Sequence, residues 1–105
     1  MISRIWHGWT TPANADKYEQ LLRDEIFVGI RNRHIGGFEG IQLLRRNVGN
    51  EVEFVTIMLF NSLEAVREFA GKDYETAVVP EKARAVLSRF DDRSQHYEVR
   101  EKENS

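Results

Sequence analysis

Phe54-Val55-Thr56-Ile57-Met58-Leu59-Phe60 is apolar at six of its seven positions. Side chains of a strand alternate between faces, so this run puts apolar groups on both sides of the sheet it joins. An antiparallel sheet with one wet face would alternate polar and apolar residues instead. Ile41, Leu43 and Leu44, one strand earlier, show the same feature. Helices can cover only one of the two faces. An identical sheet is the simplest cover for the other, so the stretch predicts a two-fold homodimer packed sheet against sheet.

Outward from this strand (51–60), the turn Val48-Gly49-Asn50 predicts a hairpin with a strand over 38–47. Gly36-Gly37 separates that strand from a helix that Pro12 opens, with Thr11 or Asn14 as its N-cap. Tyr18, Leu21, Leu22, Glu25, Ile26, Gly29 and Ile30 fall at helical spacing, so the apolar ones predict one buried stripe on a helix ending near 31–34. Residues 2–9 read as a first strand. After strand three, Asn61 and Glu64 have capping-box spacing, Leu63, Val66, Phe69 and Ala70 make an apolar stripe, and Gly71 is the stop. Residues 74–79 form a linker, 81–90 a third helical piece and 93–100 a last strand, followed by a polar tail. The order β-α-β-β-α-β predicts an α+β, ferredoxin-like domain spanning 1–105, with an antiparallel four-stranded sheet and its helices on one face.

Composition narrows the function. The chain has 105 residues, 15 Lys+Arg against 17 Asp+Glu, and no cysteine. The near-neutral balance lacks the basic footprint of a nucleic-acid binder. The missing cysteines exclude disulfides, thiolate metal sites and cysteine nucleophiles. No apolar run approaches the roughly 20 residues that span a bilayer. Met1 leads straight into Ile2-Ser3-Arg4-Ile5-Trp6 without a secretory pattern, so the expectation is a cytoplasmic protein with neither nucleic-acid nor membrane partners.

Few residues carry chemistry. His7 and His96 lie on the first and last strands, which are antiparallel neighbours in this arrangement. Either imidazole would serve as an acid or base at a pocket mouth, or simply be a hydrogen-bonded histidine on a sheet. His7, His34 and His96 share no ligand spacing, so no metal is expected. His34 and its arginine neighbours read as a solvated helix end. Trp6 and Trp9 alternate across strand one, and Trp6 suits either an aromatic wall for a flat ligand or plain core packing. Phe69 and Tyr74 flank the end of the second helix; Tyr74 carries a phenol able to orient or protonate a substrate oxygen.

Several stretches resemble the antibiotic biosynthesis monooxygenase-like family of dimeric α/β-barrel proteins: Gly37-Phe38-Glu39-Gly40, Phe60-Asn61-Ser62-Leu63-Glu64-Ala65-Val66, Phe69 to Pro80, and His96-Tyr97-Glu98-Val99. The resemblance covers nearly the whole chain and implies a ferredoxin-like fold that dimerises into an α/β barrel. That fold hosts many chemistries. Haem-degrading relatives carry a Trp, an axial His and a strand-one Asn; alignment on Phe60-Asn61-Ser62 puts Phe69, Val79 and Trp6 at or beside these positions, so haem degradation of that type is not expected. The antibiotic-pathway branch implies quinone formation without metal, flavin or other cofactor, in which a deprotonated phenolic substrate reduces oxygen in an apolar pocket.

The leading expectation is thus a small enzyme, a cofactor-independent monooxygenase acting on an aromatic or polyketide-like molecule. Trp6, Phe69 and Tyr74 would be its walls, with Tyr74 also in contact with substrate oxygen and His7 or His96 as base. The alternative is a non-catalytic, small-molecule-binding or stress-related dimer of the same fold. It gains if both histidines face solvent or the subunit interface.

Overall fold

The computed structural model describes residues 1–104. Its strands are β1 (Ile2–Thr10), β2 (Phe38–Val48), β3 (Glu51–Phe60), β4 (Arg89–Phe90) and β5 (Gln95–Glu98); its helices are α1 (Pro12–Leu21), α2 (Phe27–Asn32), α3 (Leu63–Ala70) and α4 (Glu81–Val86). All strand pairs are antiparallel, in the order β2-β3-β1, with β4 and β5 sharing the far edge of β1. The α+β ferredoxin-like arrangement is as expected, with one revision: the fourth sheet position is filled by two short strands.

That revision has a local cause. The apolar spacing predicts a helix over 81–90, but α4 stops at Val86 because Leu87 is extended (φ −83°, ψ 140°). The Ser88 N–H donates to the Trp9 carbonyl (2.8 Å) and the Asp91 N–H to that of His7 (3.0 Å), so the unpaired edge of β1 captures the chain. The following residues fold back on the 74–79 linker: Ala77 N–H donates to Asp92 O (2.8 Å) and Ser94 N–H to Glu75 O (2.7 Å). The linker is thereby held beside the sheet.

The caps resolve two readings. Thr11 is the N-cap of α1, its hydroxyl accepting from the Asn14 N–H (3.2 Å). For α3 the cap is Ser62, accepting from Ala65 N–H (3.2 Å), one residue later than the Asn61 capping box predicts. Asn61 instead donates its backbone N–H to Gly37 O (2.7 Å). Gly37 has φ +87°, and a Cβ there would lie 2.3 Å from Asn61 Oδ1, so only glycine fits. Gly71 ends α3 as expected, with φ +93°.

Between α1 and α2 the helix widens into a π-turn over Leu22–Ile26, where the Phe27 N–H donates to Leu22 O, five residues back. The buried residues run Tyr18, Leu22, Phe27, so the stripe advances by four and then by five. Phe27, outside the stripe that a 3.6-residue period draws, takes the core position after Leu22, while Ile26 and Ile30 are half-buried.

Register assigns the faces. Even-numbered residues of β1 and β3 (Arg4, Trp6 and Gly8; Phe54, Met58 and Phe60) face the helices and are buried. Odd-numbered ones (Ile5, His7 and Trp9; Val55, Ile57 and Leu59) face away, beside Leu44 on β2 and Tyr97 on β5. Among the described residues no helix is long and apolar enough to cross a membrane.

Candidate functional site

Between the helix-facing side of the sheet, the π-turn and the 78–80 segment lies a cavity of about 60 Å³. The π-turn brings Leu22 and Ile26 to its wall, with Phe27 and Ile30 following; Trp6, Thr56 and Met58 form its floor, and Phe69, Val79 and Ala83 close it. Among the described residues its polar side chains are Arg4, Tyr18, Thr56 and Ser94, besides the indole of Trp6, whose N–H is bonded elsewhere. Burial raises the Tyr18 hydroxyl above its ordinary pKa, so it is a neutral phenol. Ile26, Ile30, Phe69, Val78 and Pro80 also line an outer groove of about 500 Å³, so groove and cavity meet at these side chains. Lys82 on α4 and Glu25 on the π-turn pair across the rim (3.0 Å).

Arg4 is 3% exposed. Its Nη1 donates to the Tyr74 carbonyl and lies 3.0 Å from His96 Nε2; its Nη2 donates to Thr76 O (3.1 Å). Its guanidinium carbon stands 5.4 Å from the centre of the Phe69 ring. Burial alone lowers its pKa, to about 10, with no carboxylate opposing the shift. The group therefore remains charged at neutral pH.

A guanidinium has only donors, so His96 Nε2 must accept, and the His96 proton sits on Nδ1. That Nδ1 is buried and has no partner among the described residues. Burial, and secondly the charge of Arg4, lowers the His96 pKa, which keeps the ring neutral. Tyr74 packs edge-on against His96 (ring centres 5.1 Å). Neither Tyr74 nor His96 is part of the cavity wall; both lie behind Arg4.

His7 lies on the opposite face of the sheet. Its Nδ1 is 2.9 Å from Glu53 Oε2, and Arg46 Nε donates to Glu53 Oε1 (2.6 Å). Arg46 and then His7 hold the Glu53 carboxyl below its ordinary value. His96 pairs in register with Arg4, and His7 with Val55, so the two imidazoles do not meet. Of the five residues singled out from the sequence, the structure brings Trp6 and Phe69 to the cavity and leaves His7, Tyr74 and His96 off its wall. Sequence reasoning misses Arg4, although its even position beside Trp6 places a charge on a core-facing strand position, a signal the alternation rule contains.

Trp6 is held in place by its indole N–H, which donates to Asp91 O (2.8 Å), and by Gly8, whose lack of a side chain leaves room for the ring. Phe69 is fixed from outside by Arg33, which donates to the Phe69 and Glu68 carbonyls at the end of α3 (3.1 and 3.0 Å). The sequence reads Arg33 as part of a solvated helix end; the side chain instead ties that end to α3.

The architecture is that of the ferredoxin-like α+β proteins exemplified by the antibiotic biosynthesis monooxygenase fold. A Bacillus cereus protein provisionally classed as an antibiotic biosynthesis monooxygenase superposes with a TM-score of 0.70 at 14% identity, covering 100% of this chain and 96% of that one. The haem degrader MhuD from Mycobacterium tuberculosis, solved with two haems in its active site, superposes at 0.63 with 19% identity over 99% of this chain and 100% of its own. An arginine-to-serine point mutant of MhuD, with two manganese protoporphyrins bound per active site, gives 0.64 at 24% identity over the full length of both. No protein-family model and no curated protein matches the chain.

The residues present do not suit a haem. Among the described residues the wall offers no imidazole, thiolate or carboxylate ligand, and its one phenol, Tyr18, is held neutral by burial; Val79 and Phe69, which cannot ligate iron, stand on the same wall. Among the described residues no group of three or more His, Cys, Asp or Glu is placed to hold a metal ion.

Proposed function

We propose that this chain binds a flat aromatic or polyketide-like molecule in the cavity and its outer groove, and oxidises it with molecular oxygen without a cofactor. The observation that carries the reading is an apolar cavity, walled by Trp6 and Phe69, that meets a larger groove at Ile30 and Val78. The cavity alone is small against the roughly 300–1,000 Å³ of ligand sites, so the ligand occupies both and displaces the side chains where they join. In the reaction an activated CH₂ between aromatic rings loses a proton, its carbanion adds O₂, and the hydroperoxide loses water to leave a carbonyl. One O₂ supplies the carbonyl oxygen and the water.

The groove carries Glu25, paired with Lys82, and Glu81, neither of them on the cavity wall. Among the described residues no histidine or carboxylate lines the cavity itself, so a substrate whose reacting carbon sits there is one acidic enough to ionise in water before it enters. The same fact favours the second reading, a binding protein without turnover. An oxygen electrode with a hydroxylated anthrone as substrate separates them. Protein-dependent O₂ uptake, matched one to one by quinone absorbance, supports the oxygenase. Saturable quenching of tryptophan fluorescence without uptake supports the binding protein, and neither signal removes both.

The same proposal makes the protein a cytoplasmic homodimer through the sheet face turned away from the helices. Ile5, Val55, Ile57 and Leu59 form an apolar strip there, and Leu44 and Tyr97 are 45% and 57% exposed. Packing this face against its copy removes the strip from water.

A further inference from the structure

We infer that Arg4 makes the cavity selective for ligands bearing an anionic oxygen, an enolate or phenolate or else a carboxylate, on a flat apolar body. The inference rests on the small-molecule reading above and goes beyond it by naming the group recognised. A guanidinium offers five N–H donors in a planar fork. Arg4 uses three: two from Nη1, to Tyr74 O and His96 Nε2, and one from Nη2, to Thr76 O. The second Nη2–H and the Nε–H have no partner among the described residues. Buried arginines are ordinarily paired with a carboxylate, because an unpaired charge away from water is costly. Here no Asp or Glu among the described residues forms an ion pair with Arg4, although it lies on a cavity wall.

The surroundings hold the fork without neutralising it. Two backbone carbonyls and a neutral imidazole are acceptors that carry no full charge. Phe69 stands over the guanidinium from one side. The rest of the wall is mostly apolar, so little water competes with a ligand for the free donors, and a charge-assisted bond gains strength there. An anionic oxygen supplies the countercharge that the fold omits. Serving a neutral ketone of the same shape, the fork would keep its buried charge uncompensated.

The test is calorimetric titration of the full chain at pH 7.5 with three probes of similar shape. 2-Naphthoate presents a carboxylate, 2,4-dinitro-1-naphthol an ionised phenol, and 2-acetylnaphthalene a neutral carbonyl. At least one anion is expected to bind tenfold or more tightly than the ketone, about 1.4 kcal/mol. Whichever anion binds more tightly identifies the source of the oxygen. In Arg4→Met the preference should vanish while ketone binding persists. The ketone binding as tightly as both anions overturns the inference and leaves the pocket standing. Failure of all three probes removes the pocket reading and this inference with it. The wild-type comparison decides the matter even if Arg4→Met does not fold.

Discussion

Arg4 Nη1 and His96 Nε2 lie 3.0 Å apart on neighbouring strands, and this contact holds only while His96 is neutral. Protonating the ring would set two cations against each other inside the fold. The His96 pKa is lowered on folding, so the unfolded chain binds more protons as the pH falls below the ordinary histidine value of 6.5. The stability tied to neutral His96 is therefore complete above 6.5 and lost as the pH falls through the lowered value. Thermal melts should show Tm declining with acidification below pH 6.5. In His96→Gln, whose amide oxygen can still accept from Arg4 but does not titrate, the decline should be shallower until Glu53 protonates below its ordinary 4.5. Equal slopes in the two proteins would mean that the contact does not govern the acid response.

Gly8 and Trp6 share the helix-facing side of β1, and a Cβ on Gly8 would lie 2.6 Å from the Trp6 ring. Gly8→Ala should push the indole aside and break its bond to Asp91 O. Overpacking of this kind costs about 1–3 kcal/mol, so denaturant unfolding should show a loss of about 2 kcal/mol. Trp6 emission should shift to the red. An unchanged midpoint would mean that the ring relaxes freely.

Ile57 sits in the middle of the outward sheet face. Ile57→Asp places a charge at the centre of the proposed dimer contact while leaving the helix-side core untouched. Sedimentation should give a dimer for the wild type and a monomer for the variant, with unchanged far-ultraviolet circular dichroism. A wild-type monomer at micromolar concentration would remove the sheet-to-sheet assembly.

Val79 closes the cavity near Phe69 and is half-buried. Val79→Phe should fill much of the small space and extend toward the groove. Affinity for the naphthalene probes is expected to fall at least tenfold, with Tm within a few degrees of wild type because Val79 is not fully enclosed. Undiminished affinity would place the ligand elsewhere.

The fold was largely legible because its signals are local. The apolar run Phe54–Phe60, the Val48-Gly49-Asn50 turn and the Gly71 stop each depend on neighbours within a few residues. The opposite faces of Trp6 and Trp9 followed from strand alternation. The π-turn was not legible, since one added residue per turn leaves composition unchanged while shifting Phe27 into the core. The end of α4 was missed because Ala83, Val86, Leu87 and Phe90 fit a helical stripe; carbonyls of β1, some 80 residues away, draw the last of them into a strand.

The candidate site was legible only in its apolar parts. Trp6 and Phe69 stand on the cavity wall; the sequence offered Trp6 as either an aromatic wall or plain core packing, and put Phe69 at the end of the second helix. For His7 and His96 the sequence placed both on adjacent strands but not on a common face. Face depends on register, and register is set by long-range pairing: His96 falls opposite Arg4 and His7 opposite Val55.

By itself, then, the sequence determined the order of elements, the hairpin and an apolar excess on the sheet, because hydrophobic period and turn chemistry act over a few residues. Only the tertiary structure decided that the buried charge is Arg4, that His96 must be neutral beside it and that His7 lies on the far side. Those outcomes require strands from the two ends of the chain to meet in one register, and desolvation acts only once they have met.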